Sequence, residues 1–280
     1  MAHSTRKIGI GISPQRALCG LVLTLALLSG CATSSGPRSI DNEGLFSAIE
    51  TDDVYYIQSA VASRAVSPNQ RIPAPGYSRG TPLITLAARA GSLGVLQYLI
   101  GAGADVNARS PYNETALMLA SFFMSDQEGQ GRSYEQHEAA ARLLVDAGAS
   151  LEAARDGYTP LSYAAYQGRN DTIRFLLSRG ARVDGSVENG ITYLPTPLMM
   201  ATMMGHKESA RLLLEAGANP RLRVAAGNTA FEFAMKYQQT HMFTMLRCAE
   251  GLPRGQKFSQ WCEGATSTDT LIPVGLFRRQ

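Results

Sequence analysis

A short phrase recurs four times along this chain: Leu99-Ile100-Gly101-Ala102-Gly103-Ala104, Leu143-Leu144-Val145-Asp146-Ala147-Gly148-Ala149, Leu176-Leu177-Ser178-Arg179-Gly180-Ala181 and Leu213-Leu214-Glu215-Ala216-Gly217-Ala218. Each copy follows a threonine-led helix start, and the starts at Thr81, Thr115, Thr159, Thr196 and Thr229 lie 34, 44, 37 and 33 residues apart. The underlying period is about 33 residues, lengthened twice by insertions. A unit this small cannot bury its own apolar face, so the repeats must stack into an open solenoid, each covering the next. Such a surface grips another molecule more readily than it encloses a reaction.

Each position in the unit has a mechanical reason. The starts read Thr81-Pro82-Leu83, Thr159-Pro160-Leu161 and Thr196-Pro197-Leu198, with the weaker Thr115-Ala116-Leu117 and Thr229-Ala230-Phe231. Threonine is suited to cap a helix, and proline to its first turn, where a missing N–H costs nothing. Small residues at Ala87, Ala88, Ala120, Ala164, Ala165 and Ala201 allow a paired helix to come close. Glycine at 91, 168 or 205 turns the chain into a second helix, whose Leu-Leu pair fills the core, and Gly103, Gly148, Gly180 or Gly217 ends it in a left-handed cap.

This pattern resembles the ankyrin repeat, over about residues 79 to 250. The resemblance implies an all-α ankyrin-repeat solenoid of stacked helix-turn-helix pairs with short β-hairpin fingers. It implies a domain at 41–250, with an N-terminal cap at 41–78 that contains Leu45-Phe46-Ser47-Ala48-Ile49-Glu50, four repeats at 79–228 and a C-terminal cap at 229–250. One departure runs through the set. The histidine that usually follows Thr-Pro-Leu is replaced by Ile84 or Thr85, Met118, Ser162, Met199 and Glu232, which leaves the usual hydrogen bonding between repeats open. Insertions fall at Ser125–Gln136, between the two helices of the second repeat, and at Gly185–Pro195, before the fourth. They are either binding loops or tolerated length.

The first 30 residues carry Arg6, Lys7 and Arg16, no acidic residue, and an apolar run from Ala17 to Leu28 too short to span a bilayer comfortably. This reads as an export signal. It closes on Leu28-Ser29-Gly30-Cys31, which resembles the lipobox of bacterial lipoproteins and implies that Cys31 is acylated and becomes the new N-terminus. An ordinary secretory signal is the alternative. Ala32, by the same resemblance, favours an outer-membrane address facing the periplasm. Residues 31–40 then serve as lipidated cysteine and linker, and Ala32–Ser39 reaches at most about 28 Å when extended.

Removing the signal changes the charge balance. The whole chain has 26 basic and 23 acidic residues, and the signal holds three of the basic ones, so the mature chain has 23 of each. No bulk electrostatic case for nucleic acid survives. Cys248 and Cys262 remain in an oxidising compartment, where a disulfide closing 15 residues is expected to contribute about 3 kcal/mol; two unpaired thiols are the alternative. Residues 251–280 form a tail rich in Pro, Gly, Ser and Thr that is expected to fold back on the last repeat.

In the ankyrin repeat the two positions before the inter-helix glycine face the concave groove and are usually polar. Here they are Arg89-Ala90, Phe122-Phe123, Tyr166-Gln167, Met203-Met204 and Lys236-Tyr237. An aromatic and methionine stripe in that place reads as a protein-binding groove; a core covered by the tail or the first insertion is the alternative. Finger residues Arg109, Arg155, Arg221 and Arg223, with Tyr112, Tyr158 and Tyr193 nearby, suit an acidic protein surface or else form an ordinary solvated rim.

Signatures of catalysis are missing from the sequence. There is no Gly-x-Ser-x-Gly, Walker loop, dinucleotide fingerprint, HExxH or zinc spacing, so no cofactor or metal is expected. Resemblance to bacterial ankyrin lipoproteins implies a non-enzymatic, membrane-anchored protein that binds a protein partner in the envelope. Such proteins include immunity proteins that restrain a secreted antibacterial effector such as a phospholipase. They also include periplasmic scaffolds supporting an envelope or oxidative-stress enzyme.

Overall fold

A computed structural model describes residues 40–122, 133–153, 157–185, 191–192, 194–253 and 256–262. An opening pair, α1 (Asn42–Thr51) and α2 (Val54–Ala62), precedes a hairpin of β1 (Arg71–Ala74) and β2 (Tyr77–Pro82). Four helix pairs follow: α3 (Leu83–Ala90) with α4 (Leu93–Gly101), α5 (Ala116–Ser121) with α6 (Tyr134–Asp146), α7 (Pro160–Tyr166) with α8 (Asn170–Ser178), and α9 (Pro197–Met203) with α10 (Lys207–Glu215). A last pair, α11 (Ala230–Lys236) and α12 (Phe243–Gly251), and a short α13 (Phe258–Trp261) complete the chain. First helices stack on first helices and second on second, so the contacts run along one axis. The spine between them is made of fully buried Leu83, Leu99, Leu117, Leu144, Leu161, Leu176, Leu198 and Leu213, interleaved with Ala87, Ala120, Ala164 and Ala201. Each such leucine contributes roughly 1.5–3 kcal/mol of burial free energy.

Four of the five threonine starts cap their helix. Thr115, Thr159, Thr196 and Thr229 accept from the backbone N–H three residues on at 3.3–3.4 Å. The reciprocal bond, from the threonine N–H, goes to the sulfur of Met118 or Met199, the hydroxyl of Ser162 or the carboxylate of Glu232. Those are the side chains that stand where histidine is absent, so the boxes close locally. Thr81 departs from expectation. It pairs with Ile72 in the hairpin, which draws its backbone away from cap geometry, and its hydroxyl is buried without a partner. No side chain caps α3.

Repeats are joined by side chains at two places. At the finger bases, Asn69 accepts from Asp105 N–H (2.7 Å), Asn107 from Ser150 N–H (2.8 Å), Glu152 from Arg182 N–H (2.8 Å) and Asp184 from Asn219 N–H (3.0 Å). At the turns between paired helices, Ser92 donates to the Ile49 carbonyl, Arg169 to Ala120 (2.7 Å), Gln239 to Met203 (3.2 Å), and His206 Nε2 lies 3.1 Å from the Tyr166 carbonyl. His137 makes the same reach to the Arg89 carbonyl at 3.0 Å. Gly168 shows how close this packing is, since at φ 71° a Cβ there would lie 2.7 Å from the His206 ring. The Asp52 and Asp53 carboxylates serve helix ends: Asp53 caps α2, while Asp52 accepts from Gly94 and Val95 at the start of α4.

Several boundaries differ from the sequence reading. Ser133–Gln136, expected within the first insertion, instead form a capping box and the first turn of α6, which has 13 residues against 9 in α4, α8 and α10. Among the described residues only the first finger is a two-stranded hairpin; the second closes with a single bridge between Arg109 and Thr115, and β3 (Ile191–Thr192) runs parallel to β4 (Arg223–Val224) of the next finger. β2 crosses the border set at 78/79, because the first finger belongs to the first repeat. Cys248 and Cys262 are joined by a disulfide. It links the end of α13 to α12, and α13 packs against α10 with Phe258 buried and Trp261 largely exposed, so the described part of the tail lies on the second-helix side. Among the described residues no helix is long and apolar enough to cross a membrane.

Asp184 is the one charged rung whose carboxyl is pushed above its ordinary pKa, by burial that outweighs its bond from Asn219. A carboxyl raised on folding favours the native state when protonated, and that advantage is lost as pH rises through the folded pKa. Asp184→Asn keeps the acceptor and adds a donor of the kind Asn69 and Asn107 aim at the Gly103 and Gly148 carbonyls. It should raise stability at pH 7 by about 1 kcal/mol and flatten the stability profile at mildly acidic pH, as measured by urea titration across pH.

Candidate functional site

Aromatic side chains of two successive repeats converge on a cleft of about 540 Å³ between the fingers and the first helices. Its wall includes Tyr112 from the second finger, Phe122 after α5, and Tyr158, Tyr163 and Tyr166 from the third repeat, with Met200 beyond them. The rings are organised against one another. Phe122 stacks on Tyr166 with centroids 6.1 Å apart and planes at 24°, and meets Tyr163 edge-on at 5.6 Å. Each such pair is worth about 0.5–1.5 kcal/mol beyond area burial. Mutual packing holds the rings in place while Tyr112 stays 45% exposed.

Polar groups at the rim come from Arg89 and Glu114. Arg89 donates to the Pro75 carbonyl (3.3 Å), and its own carbonyl receives His137. Glu114 is buried, and its carboxylate accepts from the Ser110 hydroxyl at 3.2 Å. Arg109 braces its own finger, donating to the carbonyl and side-chain oxygen of Asn113.

Of the residues singled out from the sequence, Phe122, Tyr166, Tyr112 and Tyr158 meet in this cleft. Arg89, named among the groove positions, lines the cleft as well, whereas sequence reading missed Tyr163 and Glu114, because periodicity assigns Tyr163 to a helix interior and Glu114 to a solvated edge. The remaining stripe residues lie elsewhere. Met203 is half-buried against the core, whereas Met204 and Tyr237 are 43% and 42% exposed, with Tyr237 stacked on Phe233. Arg223 sits in a separate polar cleft at the C-terminal end, donating to the Gly227 carbonyl and lying 3.3 Å from Glu232. Glu232 is held below the usual carboxylate range, first by the Thr229 N–H and further by Arg223. That arginine is therefore engaged within the chain. Phe123, Arg155, Tyr193 and Cys31 lie outside the described residues.

The second-helix face carries a different pattern. Arg174 and Arg211 bracket Glu208, with Asp171 and Glu215 flanking them, and Arg142 and Arg179 stack on Phe175 at 4.5 and 4.9 Å. Glu208 is drawn down chiefly by its hydrogen bond from Arg211. Exposed pairs of this kind contribute little individually and serve mainly solubility. Among the described residues no group of three or more His, Cys, Asp or Glu side chains is disposed to hold a metal ion.

Comparison with known proteins agrees with this architecture. The family model described as Ankyrin repeats (3 copies) matches residues 132–189, and the Ankyrin repeat model matches residues 80–111 and 196–224. Mouse Ankyrin repeat and SOCS box protein 16 is 43% identical over 119 residues, covering 42% of this chain and 25% of the relative. An ankyrin repeat-containing protein of Treponema pallidum is 40% identical over 95 residues, 33% of this chain and 30% of the relative. Ankyrin repeat and KH domain-containing protein mask-1 of Caenorhabditis elegans is 31% identical over 206 residues, 68% of this chain and 8% of the relative. The aligned regions thus span less than a third of each of these relatives. The chain carries ankyrin repeats, folded as an all-α ankyrin solenoid, and ankyrin repeats are protein-interaction modules.

Truncation separates the cleft from the core. Tyr166→Ala should weaken partner binding at least tenfold while lowering the melting temperature by no more than about 3 °C, whereas Met203→Ala, which opens space against the core, should show the larger thermal loss. Calorimetry of the two variants beside a binding titration makes the comparison.

Proposed function

We propose that this chain is a lipid-anchored ankyrin protein of the bacterial envelope whose aromatic cleft receives a segment of a protein partner, without catalysis. The observation that carries the reading is the convergence of Tyr112, Phe122, Tyr158, Tyr163 and Tyr166 on one cleft. Large rigid side chains lose little conformational entropy on contact and dominate interface energies. The described tail packs on α10, away from these rings.

Two features support the envelope. The Leu28-Ser29-Gly30-Cys31 segment follows a basic, then apolar, leader. The Cys248–Cys262 disulfide accords with an oxidising compartment. An acyl chain on Cys31 with a second lipid at the same residue would tether the protein stably, since one chain alone binds only marginally. The partner then works close to the membrane surface. Restraint of a secreted antibacterial effector suits an outward-facing cleft beside a long insertion; scaffolding of an envelope enzyme uses the same surface.

Cys31→Ala should move the protein from the membrane fraction to the soluble fraction and abolish labelling by a fatty-acid analogue. Retention in the membrane, unlabelled, would remove the anchor from this reading. A partner recovered by crosslinking in intact cells should be lost with Tyr166→Ala and kept with the second-face variant Arg174→Ala; equal recovery by both would remove the cleft. Deletion distinguishes the two roles: effector toxicity in neighbour-expressing cells marks immunity, and reduced abundance of the partner enzyme marks a scaffold.

A further inference from the structure

Arg169 is the largest of the fully buried side chains, 1% exposed, and it carries a charge with no ion pair among the described residues. Burial holds its pKa below the ordinary arginine value. The Glu138 carboxylate acts on it only from beyond ion-pair distance; removing a guanidinium from water without a direct ion pair is expensive, so a residue of this kind is kept for geometry rather than stability. Its contacts show which geometry. Nη1 donates to the Ala120 carbonyl at 2.7 Å and Nη2 to the Tyr134 carbonyl at 3.0 Å, with the guanidinium 4.4 Å from the centre of the Tyr134 ring, while Nε has no partner.

Ala120 is near the end of α5 and Tyr134 is the first residue of α6. Between them in the sequence lies the second-repeat insertion, residues 123–132 of which lie outside the described residues. Elsewhere the paired helices are joined by a tight turn, at Gly91, Gly168 and Gly205, each with positive φ. There the residue entering the following second helix meets one carbonyl, and at the Gly205 turn a separate side chain, His241, lies 3.1 Å from the Gly205 carbonyl as well. His137, His206 and Gln239 each make one such bond, to Arg89, Tyr166 and Met203, and Ser92 makes one to Ile49 at the junction of α1 and α2. Among the described residues only the repeat that follows the insertion carries a two-pronged donor at this position, and its prongs fall on either side of the insertion.

We propose that Arg169 is a clamp that holds together the two roots of the second-repeat insertion, and through α5 keeps Phe122 in the wall of the aromatic cleft. Arginine serves here because its planar fork spans two acceptors that belong to different helices. Histidine, present at the same place in the next repeat, reaches one. His137 ties the α6 root to the preceding repeat through the Arg89 carbonyl, so that root is held from both sides. The inference concerns the scaffold beside the cleft and stands whatever occupies it.

The test is a cycle of two changes in the full chain. The first is Arg169→His. The second replaces residues 123–136 by Gln-Gly, the pair that makes the tight turn at Gln167-Gly168. In the parent chain Arg169→His is expected to lower the melting temperature by about 5 °C and to abolish the nuclear Overhauser contact between the Phe122 and Tyr163 rings, while the Phe231–Phe243 contact, 5.4 Å between centroids, persists. In the shortened chain, where one carbonyl remains to be met, the same substitution is expected to leave the melting temperature within about 1 °C. Equal thermal losses in the two backgrounds, or survival of the Phe122–Tyr163 contact in the parent variant, would overturn the clamp. Should the parent variant not fold, the shortened chain carrying the substitution is expected to fold, and failure of both would also overturn it. Should the shortened chain alone fail to fold, the ring contact decides.

Discussion

Past the opening pair, the first helices of this solenoid have only six to eight residues, so the four carbonyls that any α-helix leaves unpaired at its C-terminus are about half or more of all they possess. A stack of such helices is stable only if those carbonyls find donors. Here the donor comes from the next repeat. Ser92, Arg169, His206 and Gln239, together with His137, reach back across the interface to the end of the preceding first helix. Apolar burial supplies the free energy of stacking, but these bonds set the register. A repeat displaced along its neighbour would strand buried acceptors at about 1–3 kcal/mol each.

With the register set, the ends of the first helices and the fingers are brought into one row. Phe122 comes from the second repeat and Tyr163 and Tyr166 from the third, yet their rings pack on each other. The cleft is thus a product of stacking, and no single repeat contains it. The two long faces divide the chemistry. The second helices carry interlaced charges and the bracketed Phe175, a solvated exterior, whereas on the finger side four described arginines are occupied with backbone carbonyls. Arg71, Arg109, Arg221 and Arg223 all donate to carbonyls. Finger arginine serves here first as a structural brace.

Much of this was legible in advance, for identifiable reasons. Threonine caps, the positive-φ glycines and the Leu-Ala spine depend on local geometry, which repeats with the sequence. Thr81 failed because a hairpin partner, Ile72, lies outside the repeat unit. The end of the first insertion was misjudged because Ser133-Tyr134-Glu135-Gln136 is itself a helix start, a local signal masked by the loop-like composition before it. Met203 holds a groove position in the repeat, and its packing against the core comes from the stacked neighbours rather than from that position. Tyr163 was overlooked since an aromatic one turn before the exposed position reads as interior.

By itself the amino-acid sequence determined the repeat, its period, the helix boundaries at capped threonines and the apolar spine, all of which are fixed by interactions within some 35 residues and need no knowledge of neighbours. Tertiary structure alone decided which side chains satisfy the exposed helix ends, where the tail and its disulfide lie, and which of the stripe residues form a cleft. Those outcomes hinge on atoms that come together only across a stacked interface. The distances there, three to six ångströms between residues 35 to 50 positions apart, have no signature in composition or spacing.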